Sequence, residues 1–185
     1  GPDSDGGAFS WQNADGGVCL RPLTGGDDRC VSSGSAIYLA LSGTRVVTEA
    51  GGTSRISLVD FDTMRSRILD SSTLPGMRYD PAIEGEQAVW VKERGYAGKY
   101  YEPLLVSYDL VASTSSYLTR TGGGSGPGGG SRYERKSPVI DGGRVFYQQK
   151  DRLSGSGWDI FEAVPDTFGM PVSEAAGDQV NPSLS

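Results

Sequence analysis

A phrase that returns along the chain constrains its fold more than any other feature. Asp80-Pro81-Ala82-Ile83-Glu84-Gly85 leads into Gln87-Ala88-Val89-Trp90-Val91, and Ser137-Pro138-Val139-Ile140-Asp141-Gly142 leads into Arg144-Val145-Phe146-Tyr147. Tyr38-Leu39-Ala40-Leu41-Ser42-Gly43 leads into Arg45-Val46-Val47-Thr48. Asn181-Pro182-Ser183-Leu184-Ser185 is the first half again, and Ala8-Phe9-Ser10-Trp11-Gln12 offers a second half at the other terminus. Pro opens a short strand whose first position needs no N–H. An aliphatic residue faces the core, and a polar residue with Gly makes a tight turn. The second strand then alternates apolar and polar residues and carries an aromatic near its end.

The marker glycines Gly43, Gly85 and Gly142 stand 42 and 57 residues apart, and without the ten-residue tract 122–131 the second interval is 47. A period of about 40–50 residues indicates a propeller or solenoid array. Each repeat adds two strand-like runs: Val18-Cys19-Leu20-Arg21 with Arg29-Cys30-Val31, then residues 55–61 with 66–69, 104–108 with 116–119, and 158–164 with 170–172. Four strands in each of four repeats predict an all-β chain, a small β-propeller of four four-stranded blades closed by pairing of its N- and C-terminal strands. The repeats run over about 1–36, 37–79, 80–136 and 137–185 within a single domain.

Composition agrees. The chain has 28 Gly in 185 residues, roughly twice the average share, which excludes a helical bundle. Nine Tyr, three Trp and five Phe argue against disorder. A net charge of −6 makes nucleic acid a poor partner. No apolar run approaches the roughly 18 residues of a membrane helix, so no membrane insertion is expected. The opening Gly-Pro-Asp-Ser-Asp carries no leader and reads as a mature or excised chain. No His is present, which removes Ser-His-Asp and Cys-His catalysis and any His-ligated zinc.

The Pro-x-(Ile/Leu)-x-Gly phrase, the apolar strand ending in Trp or Tyr, and Tyr108-Asp109-Leu110 resemble the TolB-type, WD40-like propeller repeats of bacterial periplasmic and surface proteins. The likeness runs over nearly the whole chain and implies the fold far more than a function. One departure is the count, since such propellers usually have about six blades or more.

Residues 122–131, Gly-Gly-Gly-Ser-Gly-Pro-Gly-Gly-Gly-Ser, form a flexible coil by composition. Two readings stand: a natural Gly-rich loop, or an introduced linker that joins native ends in a circular permutation. On either reading Pro182-Ser183-Leu184 is expected to complete the blade begun by Ala8-Phe9-Ser10-Trp11, fastening the ring and hiding its edges.

Cys19 and Cys30 flank a hairpin whose midpoint falls on its Gly25-Gly26 turn, so they face each other and are expected to bond. A disulfide implies an extracytoplasmic location: periplasm, cell surface or secretion. Asp3-Ser4-Asp5-Gly6-Gly7 and Gly26-Asp27-Asp28 lack the oxygen set of a calcium loop and read as turns, so no metal is expected. Asn13-Ala14-Asp15-Gly16-Gly17 is a hairpin turn. Glu84, Asp141, Asp60 and Asp109 recur at turns, which favours structural over glycosidic roles. Oligogalacturonate lyases also have WD40-like propellers, but this chain lacks the His expected in such sites.

In a blade with strands a to d, the b–c and d–a loops share one face. The long segments 94–103, 150–157, 70–79, 121–136 and 174–180 all fall there, where function concentrates. On that face Arg94, Tyr96, Lys99, Tyr100 and Tyr101, with Lys150, Arg152 and Trp158, form a Tyr- and Arg-rich contact surface. The reading is a non-enzymatic, monomeric binding module that presents this face to a protein or glycan, without cofactor or metal. The alternatives are a carboxylate-based glycosidase or polysaccharide lyase on the same scaffold, and a structural segment of a larger propeller.

Overall fold

The computed structural model describes residues 3–34, 36–50, 55–71, 77–96, 100–120, 131–155, 157–165 and 167–172, with side chains described except at 94–96 and 100–102. Among them no helix forms, and the strands fall into four antiparallel sheets of four. Blade 1 holds β1 (Asp3–Ser4), β2 (Ala8–Gln12), β3 (Gly17–Pro22) and β4 (Arg29–Ser32). Blade 2 holds β5 (Ala36–Ser42), β6 (Arg45–Ala50), β7 (Arg55–Asp60) and β8 (Arg65–Asp70). Blade 3 holds β9 (Arg78–Glu84), β10 (Gln87–Tyr96), β11 (Tyr100–Asp109) and β12 (Thr114–Tyr117). Blade 4 holds β13 (Tyr133–Asp141), β14 (Arg144–Asp151), β15 (Asp159–Glu162) and β16 (Met170–Pro171). Each blade runs in simple a-b-c-d order, as the repeat predicts.

The glycine of the phrase earns its place at the a–b turn. Gly43, Gly85 and Gly142 have φ of 59, 54 and 55°, a left-handed backbone that costs side-chain-bearing residues energy. In blades 1, 2 and 3 the residue just before the a–b turn glycine (Gly6, Gly43 and Gly85) reaches forward to the next blade. Asp5 Oδ2 accepts the Gly43 N–H. Ser42 Oγ accepts the Gly85 N–H at 3.1 Å, and the Glu84 carboxylate accepts the Gly142 and Gly143 N–H groups at 3.1 and 3.0 Å. Asp60 and Asp109 cap their own c–d turns, Asp60 Oδ1 taking the N–H groups of Asp62 and Thr63 and Asp109 Oδ1 those of Val111 and Ala112. The recurring carboxylates are thus structural at Glu84, Asp60 and Asp109.

The core is three separate seams rather than one centre. Ala8, Val18, Leu20 and Val31 of blade 1 pack on Leu41, Val46, Val59 and Phe61 of blade 2. Val47, Ile56 and Leu58 of blade 2 pack on Ala88, Trp90, Val106 and Tyr108 of blade 3. Val89, Val91 and Leu105 of blade 3 pack on Val145 and Tyr147 of blade 4. Strand b serves both sides by strict alternation, Ala88 and Trp90 facing back while Val89 and Val91 face forward.

Two sequence expectations change, for segment 94–103 and for Lys150, and a third falls outside the described residues. Residues 181–185, expected beside β2, lie outside the described residues, and the N-terminal Asp3–Ser4 holds the strand-a place there, paired to Ser10 and Phe9. Among the described residues no cluster joins blade 4 to blade 1. Segment 94–103 is largely strand: β10 and β11 pair continuously from Gln87↔Asp109 to Tyr96↔Tyr100, and residues 97–99 lie outside the described residues. Lys150 likewise lies in strand β14, opposite Glu134, because the ladder of blade 4 runs on to Asp151.

Cys19 and Cys30 are cross-strand partners of β3 and β4 and form the expected disulfide.

Candidate functional site

A cleft of about 510 Å³ opens between blades 3 and 4. It lies where strand b ends and strand a begins, which is the long-loop face. Its walls include Met77, Tyr79, Pro103, Tyr133 and Trp158, and its polar groups include Asp80, Glu93, Glu134, Lys136 and Arg152. Glu93 continues the forward face of β10 begun by Val89 and Val91, placing a carboxylate where an apolar row meets the surface. The Tyr79 hydroxyl lies 3.2 Å from Glu93 Oε1 and 3.3 Å from the Arg135 carbonyl. Burial raises the Glu93 carboxyl, opposed by the Tyr79 hydrogen bond and the Arg152 charge. Burial also raises the Tyr79 hydroxyl, with the Glu93 charge next in effect, so Tyr79 stays a donor.

Below the cleft Arg135 is 1% exposed. Its Nε donates to Gln149 Oε1 at 2.8 Å and its Nη1 to the Pro103 carbonyl at 2.6 Å, which ties the floor of blade 4 to strand c of blade 3. Tyr133 lies between Arg132 and Arg135, whose guanidinium carbons stand 5.0 and 5.3 Å from its ring centre. At the rim Arg152 Nε donates to Glu134 Oε1 at 2.6 Å, and Lys136 Nζ sits 4.0 Å from the Trp158 ring centre. The cleft therefore offers aromatic faces ringed by charges that already have partners. That is the make-up of a contact surface with a polar rim.

Of the sequence-predicted residues, the structure brings Arg152 and Trp158 together in this cleft. Lys150 lies next to it, in register with Glu134. Arg94, Tyr96, Tyr100 and Tyr101 lie on the β10–β11 arm, which rises from the cleft residues Glu93 and Pro103. Lys99 lies outside the described residues. Sequence reasoning missed Tyr79, Glu93, Tyr133, Glu134 and Lys136. The available signal was the alternation itself, which puts Glu93 on the face of Val89 and Val91.

A larger cleft of about 650 Å³ lies between blades 2 and 3, lined by Arg45, Asp60, Arg65, Arg67 and Leu110 among others. Its arginines largely serve the fold: Arg45 pairs with Glu86 at 2.7 Å, and Arg67 donates to the Leu110 carbonyl at 3.0 Å. Among the described residues none that lines it is aromatic.

Four four-stranded antiparallel sheets, packed face to face in sequence order, define a β-propeller-type fold. Solved structures agree. The chain is similar to the tricorn protease, with a TM-score of 0.62 at 15% identity, over 84% of this chain and 16% of that one. It is similar to a putative TolB from Agrobacterium tumefaciens, with a TM-score of 0.53 at 18% identity, over 87% of this chain and 56% of that one. It is also similar to a chain in a nidogen/laminin complex, with a TM-score of 0.52 at 12% identity, over 84% of this chain and 60% of that one. The chain spans between 16% and 60% of the length of these proteins. No protein-family model and no curated protein matches the sequence.

Proposed function

We propose that the chain is a binding module of an extracytoplasmic protein, holding a protein partner at the cleft between blades 3 and 4 and along the β10–β11 arm. The observation that carries this reading is the pairing of Trp158, Tyr133 and Tyr79 with the Arg152–Glu134 rim in one cleft. Trp, Tyr and Arg dominate binding energy at protein contacts. The likeness to TolB and to a chain of a nidogen/laminin complex supports a scaffold suited to such contacts. The Cys19–Cys30 disulfide fits an oxidising compartment.

Glu93 favours a second reading. A carboxyl raised by burial beside other carboxylates is what a glycosidic general acid requires. One experiment separates the two. The wild type and Trp158→Ala and Arg152→Glu variants are presented to periplasmic and surface proteins and to a panel of glycans and peptidoglycan fragments. A protein captured by the wild type and lost with either variant is the expected result. Glycan turnover that disappears in Glu93→Gln would overturn the binding reading in favour of the second.

A further inference from the structure

The cleft between blades 2 and 3 opens on the face of the a–b and c–d turns, opposite the long-loop face. Its lining runs in two rows across blade 2. Arg45, Asp60 and Arg65 are ladder partners on β6, β7 and β8, and Leu58 and Arg67 are partners in the next row. Both rows lie on the forward face, where Val47 and Leu58 pack on blade 3. Leu110, next to the c–d turn of blade 3, adds to the apolar floor. Among the described lining residues three arginines meet one carboxylate, in a chain whose net charge is −6.

The three arginines are held differently. Arg45 pairs with Glu86 at 2.7 Å and lies 3.8 Å from Asp60, whose Oδ1 already takes the N–H groups of its own turn. Arg67 is fixed by neutral acceptors. Its Nη1 donates to Ser113 Oγ at 3.1 Å and its Nη2 to the Leu110 carbonyl at 3.0 Å, and its guanidinium carbon stands 5.8 Å from the Tyr108 ring centre. Its position is set while no carboxylate neutralises its charge. Arg65 is exposed and makes no hydrogen bond or ion pair among the described residues.

The repeat accounts for one of these residues and not for the other. Arg29 of blade 1 donates to the Phe61 carbonyl at 3.1 Å, the same brace onto the next blade that Arg67 makes to Leu110. Arg65 has no counterpart in blade 3. There Asp109 holds the place of Asp60, and its partner on strand d is Thr114. Nor does an outer strand of this protein need charge to keep other strands away. The outer strand of blade 3, β12, is equally exposed and reads Thr-Ser-Ser-Tyr. A free guanidinium beside a fixed one, over an apolar floor, suits carboxylates, which take paired N–H donors from Arg.

We propose that this cleft binds an extended acidic segment of a protein partner, with carboxylates two residues apart. Arg65 and Arg67 are separated by one residue on one strand, a spacing of about 7 Å, which an extended peptide reproduces on one of its sides. One carboxylate meets Arg65 and the next meets Arg67, and their methylene groups lie on Leu58 and Leu110. β8 is the outer strand of its sheet, so the segment runs alongside it. The described lining favours a peptide over an acidic glycan, because it gives sugar rings no aromatic face to stack on. This contact lies apart from the cleft of blades 3 and 4 and does not depend on it.

The test is fluorescence anisotropy on the full chain with three labelled probes: the peptide Ser-Glu-Ser-Glu-Ser-Glu, its Gln counterpart, and a galacturonate oligomer of equal charge. The chain's net charge of −6 opposes nonspecific uptake of an acidic probe, so binding marks a site. The acidic peptide should bind at least about tenfold more tightly than the other two, and added salt should weaken it. Arg65→Glu should weaken it by about tenfold or more, and Arg65→Gln by a smaller factor. Arg65 is exposed, so both variants should keep the far-UV spectrum of the wild type. No binding of the acidic peptide at low salt overturns the proposal. So does binding that both Arg65 variants leave unchanged, or tighter binding of the galacturonate oligomer.

Discussion

Blade 1 and blade 3 share one plan and live in different surroundings. Both carry Trp five residues after the marker glycine. Trp90 is 0% exposed, sealed against blade 2 and tilted on Tyr108 at 6.1 Å, while Trp11 is half-buried beneath Arg21. Blade 3 has neighbours on both sides and no covalent staple. Among the described residues blade 1 packs on one neighbour, and it holds the protein's one disulfide, between its two outer strands. Cys19 occupies the place Val106 takes in blade 3, as the ladder partner of the Trp. A blade short of one seam loses the burial that would fix its outer strands, and a cross-link that restricts the unfolded chain compensates for it. The same repeat is therefore stabilised by packing in the interior and by covalent closure at the end.

The sharpest way to break this comparison is to truncate the two equivalent rings. Trp90→Ala leaves a cavity inside a sealed seam and should cost about 3–5 kcal/mol in chemical unfolding. Trp11→Ala should cost less than about 1.5 kcal/mol. Equal losses would mean that the two faces are equally covered.

Removing the staple comes next. Replacing Cys19 and Cys30 by Ser opens a loop with a sequence separation of 11 residues and should cost about 3 kcal/mol, read from urea midpoints of the oxidised protein and the double variant. Limited proteolysis should then cut blade 1 before blade 3. Simultaneous cutting would refute the idea that the bond replaces a missing seam.

The forward reach of the turn acceptors gives a smaller, directional contrast. Glu84→Ala strands two turn N–H groups of blade 4 and should cost about 1 kcal/mol. Asp141→Ala, whose carboxylate takes no turn N–H of a following blade among the described residues, should change stability by less than about 0.5 kcal/mol.

The smallest effect is one of pH. Glu49 sits at the seam of blades 2 and 3 with Oε2 buried and without a hydrogen-bond partner. Burial, with the Asp80 charge second, pushes its carboxyl up to about 7. Its folded value lies above its unfolded one, so the native state holds the extra proton between the two. Stability from this group is full at pH 4 and falls as pH rises toward 7. Glu49→Gln should therefore raise the urea midpoint at pH 8 and leave it unchanged at pH 4. A variant that stabilises equally at both pH values would show that the proton is not involved.

Much of this fold is legible in the sequence because it is periodic. The marker glycines, the alternation of strand b and the acceptor before each turn place four blades and their seams, and the Cys19/Cys30 symmetry about a Gly-Gly turn places the disulfide. The short strand Asp3–Ser4 escaped because it puts polar residues where the phrase has an aliphatic one. The β10–β11 arm was misread because Gly95 and its charged and Tyr neighbours look like a loop, while their register simply continues the ladder. The cleft was half legible: Arg152 and Trp158 stand out by type, whereas Tyr79, Glu93 and Tyr133 matter only once blades 3 and 4 are set side by side.

The central claim is that the two equivalent tryptophans differ in cover, Trp90 sealed inside a seam and Trp11 only half-buried. Hydroxyl-radical footprinting of the two tryptophans tests it most directly, at a concentration where light scattering gives one chain. The account predicts that Trp11 is oxidised many times faster than Trp90. Protection of Trp11 equal to that of Trp90 in the single chain would contradict it and show that the four blades close on themselves.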